Sequence, residues 1–159
     1  MTVNTPSPEH TARQPDWAIM RAFVEGRRAV LMSDTYLTKL PGHDTDTYKL
    51  FAERCYLFNA TQRSVDGLVG LMFRKAPAAE WAETFAPYAD DMTRTGHNAA
   101  QFAEMIANEL VTVGASGVLV DHPTQNAPGT LAQADALSQR PYARLYTICL
   151  LYTSPSPRD

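Results

Sequence analysis

A predominantly helical α+β fold is predicted by three features of the sequence. A long amphipathic stretch covers about residues 44–75, and a shorter one covers about 98–113. Two brief strand-like runs follow, an apolar β-branched one at about 117–121 and a second at about 141–147. Apolar residues at steps of three and four mark the helices, and short apolar runs beside turn signals mark the strands. Two strands give only a short, incomplete sheet, since an isolated pair is marginal in water.

The elements are justified in chain order. Residues 1–15 are polar, carry Pro6, Pro8 and Pro15, and read as a disordered tail. Asp16 then stands as the N-cap of a helix through Leu31, with Ile19, Phe23 and Val30 at helical spacing. Gly26 falls inside it, at a cost of about 1 kcal/mol relative to alanine. Arg27 and Arg28 read as a solvated pair on its outer face. The stretch 33–42, SDTYLTKLPG, breaks the pattern at Pro41-Gly42. Tyr36, Leu37 and Leu40 are expected to tuck against the core.

The central helix, about 44–75, is capped by Asp44 or Asp46 and carries one apolar stripe: Tyr48, Phe51, Cys55, Phe58, Val65, Val69 and Met72. Cys55 on this stripe reads as a buried structural thiol. Ala60, Ser64, Gly67 and Gly70 form a second, small-residue face, and glycines inside a helix need a reason such as close packing or a kink. Arg63 and Asp66, three apart, are spaced for a surface pair worth about 0.2–0.5 kcal/mol. Arg74-Lys75 suit the negative end of the helix dipole, and Pro77 stops the helix.

A short helix is predicted within 79–88, with Trp81 and Phe85 one turn apart and Pro87 limiting it. Residues 90–96 are loop, with Asp90-Asp91 a solvated turn. Asn98 and Gln101 have capping-box spacing at the start of the 98–113 helix. Phe102, Met105, Ile106, Leu110 and Val113 share one side of it, and Gly114 closes it. Gly117 opens the first strand. Residues 123–139 are a long polar excursion with one helical turn around 132–137, and the second strand follows.

At 159 residues, 45% of them hydrophobic, the chain suits one domain, placed at 16–148. A net charge of −3 argues against a dedicated nucleic-acid binder, though not against a surface that lets DNA slide past. Cys55 and Cys149 suggest neither a disulfide framework nor a zinc site. The absence of a leader-like segment or a span of about 18 apolar residues predicts a soluble intracellular protein.

No catalytic chemistry emerges. The stretch Gly114-Ala115-Ser116-Gly117 ends a helix and opens a strand, the reverse of a phosphate-binding loop, and lacks its lysine. It also lacks the Gly-x-Ser-x-Gly spacing of a nucleophile elbow. Ser116, Asp121 and His122 supply the residue types of a triad but crowd into one strand. His10, His43, His97 and His122 are scattered without metal-ligand spacing. No catalytic, cofactor-binding or metal residue is nominated, no cofactor is expected, and the chain reads as non-enzymatic. The structural packing candidates are Ala60, Ser64, Gly67, Gly70, Gly114 and Gly117.

Residues 149–159, CLLYTSPSPRD, resemble residue for residue the translation of a transposase adapter used in short-read library preparation. That resemblance implies that the natural sequence runs only to about Ile148 here, and that the chain is the N-terminal piece of something longer. Such a piece is expected to be poorly stable or associated when alone, because its short sheet exposes an unpaired edge.

Four segments carry a second resemblance: YLTKLPG (36–42), RCYLFNATQRSVDGLVGLMFRKAP (54–77), VTVGASGVLVDHP (111–123) and RPYARLY (140–146). In this order they resemble the N-terminal part of a portal-like family of tailed-phage proteins, long filed as a domain of unknown function. The strongest piece is 59–77, and Ala115 departs from the basic residue expected there. The resemblance implies a structural subunit of a portal or head–tail connector, placed in its wing and the start of its body. Such a ring, of about twelve subunits, needs heterologous interfaces that close. DNA is packaged and ejected through it without sequence-specific binding. The implied partners are terminase, capsid and tail adaptor proteins, and no membrane. The implied location is the capsid vertex of the virion, with the host cytoplasm during assembly. The alternative is a small helical interaction or regulatory protein of another kind.

Overall fold

The computed structural model describes residues 6–31, 35–122, 130 and 140–148. They form six helices and a two-stranded sheet: α1 (Pro8–Glu25), α2 (Arg27–Leu31), α3 (Thr45–Arg54), α4 (Ala60–Met72), α5 (Ala86–Ala89), α6 (Ala99–Val113), β1 (Ser116–Asp121) and β2 (Tyr142–Thr147). The fold is therefore helical α+β. The chain divides into two compact units. One holds residues up to Leu71 with the last turn of α6. The other holds Met72–Leu110 and the sheet.

In the first unit, α1 starts eight residues before Asp16. Ser7 caps it by accepting the His10 N–H at 3.2 Å, and Pro8 stands in the first turn, where a missing N–H costs nothing. Residues 8–15 of the expected tail are thus helical, and Pro15 lies inside the helix. The buried His10 ring meets buried Trp17 edge-on at 5.0 Å, so this end is anchored by packing that proline counting misses. Gly26 does not continue the helix as expected. At φ +102° and ψ −156° it ends α1 and turns the chain into α2. Around that turn Ala22, Val30 and Leu31 form a buried cluster, with Phe23, Tyr36, Leu37, Cys55 and Leu57 packed against it. Tyr36 and Leu37 thus reach the core as expected, whereas Leu40 is half exposed.

The expected 44–75 helix is two helices. Asp44 caps α3, its carboxylate accepting the Thr47 N–H at 2.7 Å. Cys55 then leaves helical geometry with ψ 138°, and residues 55–59 are neither helix nor strand, ending in a tight turn in which the Ala60 N–H meets the Phe58 carbonyl at 2.9 Å. Their side chains alternate: Cys55 and Leu57 turn toward the cluster while Tyr56 and Phe58 face solvent. Two polar ties hold this break. Arg27, expected to be merely solvated, donates to the carbonyls of Ala52, Glu53 and Cys55, the Glu53 bond being 2.9 Å. Its cation therefore sits at the negative end of α3. Asn59 donates its side-chain amide to the Phe23 carbonyl of α1 and accepts the Gln62 N–H at 3.0 Å, which starts α4. Periodicity runs through residues 55–59 because both faces of the link happen to be apolar.

In the second unit the expected 79–88 helix shrinks to α5, and Pro87 stands in its first turn rather than at its end. The loop after it is braced. Asp91 accepts the Gly96 N–H at 2.9 Å and pairs with the Arg140 guanidinium, so it is no plain solvated turn. The Ala143 N–H reaches the Met92 carbonyl at 2.9 Å, and the Arg94 cation lies over the Tyr142 ring at 5.4 Å. The Asn98–Gln101 capping box opens α6 as read, and Gly114 closes it at φ +81°, where a residue with a Cβ would be strained. The strands β1 and β2 pair antiparallel, Ser116 opposite Thr147 through Asp121 opposite Tyr142. The helical turn expected at 132–137, Cys149 and the tail at 149–159 fall outside the described residues.

Candidate assembly surface

The surface that the sequence singled out lies on α4. Val65 and Val69, one turn apart, are its buried contacts. Ala60, Ser64, Gly67 and Leu71 recur at steps of four, three and four, which places them together on the opposite side. All four are exposed, Leu71 at 68%. Leu68 beside them is half exposed, and Gly70 flanks the row, exposed as well. Arg63 stands between this row and Gly70, and Asp66 lies farther round the helix. Among the described residues nothing comes within 4 Å of where a Cβ on Gly67 or Gly70 would stand. The glycines are therefore not required by a neighbour among the described residues. They keep a helix face flat and open, at a cost of about 1 kcal/mol each relative to alanine.

The remaining packing candidates are local. Gly114 serves the α6 terminus, and Gly117 lies in β1 opposite Tyr146. The Arg63–Asp66 surface pair gives way to another contact, the Arg63 cation lying 5.7 Å from the centre of the Phe58 ring.

Candidate chemistry is dispersed. Ser116 and Asp121 stand at opposite ends of β1, about 16 Å apart at the rise of an extended strand. Asp121 accepts the His122 N–H at 2.8 Å and the Tyr142 hydroxyl at 3.0 Å, so its carboxylate is engaged away from Ser116. That hydroxyl bond raises the Tyr142 pKa above its usual value, because ionisation would place a phenolate against a carboxylate. His43 lies edge-on to Phe51, and His97 shares its Nδ1 with the Thr93 and Thr95 hydroxyls. Among the described residues no three His, Cys, Asp or Glu side chains converge as metal ligands. No described helix is long and apolar enough to cross a membrane.

The residues that sequence reading missed are Asn59, Arg27 and the exposed pair Tyr56 and Phe58. The signal for Asn59 was present: Asn59-Ala-Thr-Gln62 has the same spacing as Asn98-Ala-Ala-Gln101. No protein-family model matches the chain, and no curated protein matches it.

Proposed function

We propose that the chain is a structural subunit of a phage portal or head–tail connector ring, with no enzymatic activity. Double-stranded DNA passes through such a ring without sequence-specific contacts, and terminase, capsid and tail adaptor proteins dock around it at the capsid vertex. Two things support the reading. One is the ordered resemblance over residues 36–146. The other, which carries it physically, is the outward face of α4, where small residues and two leucines are exposed and no described residue comes within 4 Å of a Cβ placed on Gly67 or Gly70. A helix that bears glycine on an exposed face gives up propensity, and the loss is offset when another surface approaches closely.

The same openness makes a clean test. Gly67→Leu adds a side chain into free space, so the isolated subunit should gain helix propensity, by about 0.8 kcal/mol, and keep its fold. At a close-packed contact the added leucine would clash. Expected are rings from wild type in negative-stain microscopy and, for the variant, unchanged helical circular dichroism together with loss of those rings. Rings from the variant that match wild type would remove the α4 face from the interface. Discrete small complexes without rings from the wild-type chain would select the helical interaction-protein reading instead.

A further inference from the structure

The two edges of the sheet differ. The Ala143 N–H of β2 reaches the Met92 carbonyl, so the outer edge of β2 already has a main-chain partner. Ala143 thus turns its main-chain groups away from β1, and Val120, which stands opposite it, turns its own away from β2. Strand geometry alternates, so Ser116, Val118 and Val120 all point N–H and C=O groups to the outer side of β1. Among the described residues no main-chain bond reaches Val118 or Val120 there. Val118, Leu119 and Val120 are 48%, 49% and 69% exposed, so apolar side chains stand open on both faces of this strand. Between Ser116 and Asp121 β1 has no charge, no proline and no bulge, the features that normally protect an edge.

We propose that the β1 strands of two copies pair antiparallel, edge to edge, and join the two sheets into one of four strands. A fitting strand must point unpaired main-chain groups outward at alternate positions and carry apolar residues on both faces. Among the described residues β1 alone meets these terms, since β2 is closed at Ala143, so the complement is a second copy of β1 itself. One register satisfies both terms: Val118 opposite Val120 of the second copy, and Leu119 opposite Leu119. Four main-chain bonds then form, two at each Val118–Val120 pair, and every apolar residue faces an apolar residue. A shift of two residues either way sets Val120 against Ser116 or Leu119 against Asp121. In the favoured register Asp121 faces Gly117, which keeps the two carboxylates at opposite ends of the ladder. Pairing lifts the sheet from two strands, which are marginal alone, to four. The same patch serves both copies, so the contact closes at two. It is shorter than a standard interface of about 1,200–2,000 Å2 and belongs with the weak, concentration-dependent ones. The pairing rests on the sheet edge alone and goes beyond the subunit reading, needing neither the ring nor the α4 face.

Oxidative cross-linking of the whole 159-residue chain, carrying Cys55→Ser and Cys149→Ser, tests both the contact and its register. Leu119→Cys puts two thiols in a pair without hydrogen bonds, with Cα atoms about 4.5 Å apart and within reach of a disulfide. Val118→Cys leaves them about 9 Å apart, out of reach. Expected on a non-reducing gel is a dimer band from Leu119→Cys that strengthens with protein concentration, and no such band from Val118→Cys. Two additions to Leu119→Cys should each abolish it. Val120→Pro removes an N–H that β2 does not use. Val120→Lys keeps that N–H and sets a charge in the apolar row. Far-UV circular dichroism reports that each variant remains folded. No band from Leu119→Cys, an equal band from Val118→Cys, or a band that survives either Val120 change in a folded chain would overturn the pairing. The subunit reading is decided separately, by the rings of wild type and Gly67→Leu.

Discussion

The starts of α4 and α6 use one local device to different ends. In Asn59–Gln62 and Asn98–Gln101 the asparagine side chain accepts the main-chain N–H three residues on, at 3.0 and 2.9 Å. At Asn98 the exchange closes on itself, because the Gln101 side chain receives the Asn98 N–H at 3.0 Å. At Asn59 the Gln62 side chain binds the asparagine amide instead, at 3.2 Å, and that amide also donates to the Phe23 carbonyl at the end of α1. One cap is complete within its helix. The other is shared with a helix 36 residues earlier in the chain. A motif of this kind starts a helix wherever it occurs, but only the second version also fixes where the preceding chain must run.

The largest expected effect separates the two. Asn98→Ala removes a cap alone and should cost about 1 kcal/mol. Asn59→Ala removes a cap and strands the Phe23 carbonyl, and should cost about 2–4 kcal/mol in all. Denaturant midpoints at constant slope measure both. Equal losses would mean that the bond to Phe23 carries no weight.

Gly26 comes next and bears on the same tie. A Cβ there would meet Gln62 Oε1 at 3.5 Å and Asn59 Nδ2 at 3.6 Å, which is ordinary contact. Space is therefore not the objection to a side chain. The backbone is, since φ +102° with ψ −156° belongs to a region that glycine occupies almost alone. Gly26→Ala should lose about 1–3 kcal/mol in a thermal or denaturant melt. No loss would show that α1 can end elsewhere without disturbing Asn59 and Arg27.

What could be read from the sequence follows the same division. Asp44, Asn98, Gly114 and the two strands were legible because each rests on residues within a few positions, where side-chain chemistry and main-chain geometry determine each other. The break at 55–59 was not legible. Its causes are Arg27 and Asn59, whose partners lie more than 20 residues away, and its alternating apolar side chains continue a helical stripe by coincidence. The start of α1 was misplaced for a related reason: three prolines outweighed Ser7, yet the buried His10–Trp17 contact decides the matter. The candidate surface divides likewise. The small face of α4 was visible as spacing, but its outward direction depends on which side Val65 and Val69 bury. Tyr56 and Phe58 were hidden inside a helix that does not form.

The smallest expected effect concerns the third local cap. Asp44 differs from Asn98 in carrying a charge, and its carboxylate pKa is lowered, chiefly by the main-chain N–H of Thr47 and then by the Thr47 side chain. Lysine 39 and the Asp46 N–H act in the same direction. A pKa lower in the folded chain than in the unfolded one means that the ionised form favours folding. The contribution is therefore complete above the ordinary aspartate value of about 3.9 and is lost as pH falls through the lower folded value. Asp44→Asn keeps an acceptor for the Thr47 N–H but cannot titrate. Followed by NMR, the Thr47 amide shift in wild type should titrate with a midpoint below about 3.9, and in the variant it should stay flat. A wild-type midpoint at or above that value would mean that the carboxylate is not held by the helix end. The capping of α3 would then rest on Arg27 at its far terminus rather than on Asp44, and α3 would move from the locally determined helices to those fixed by distant partners.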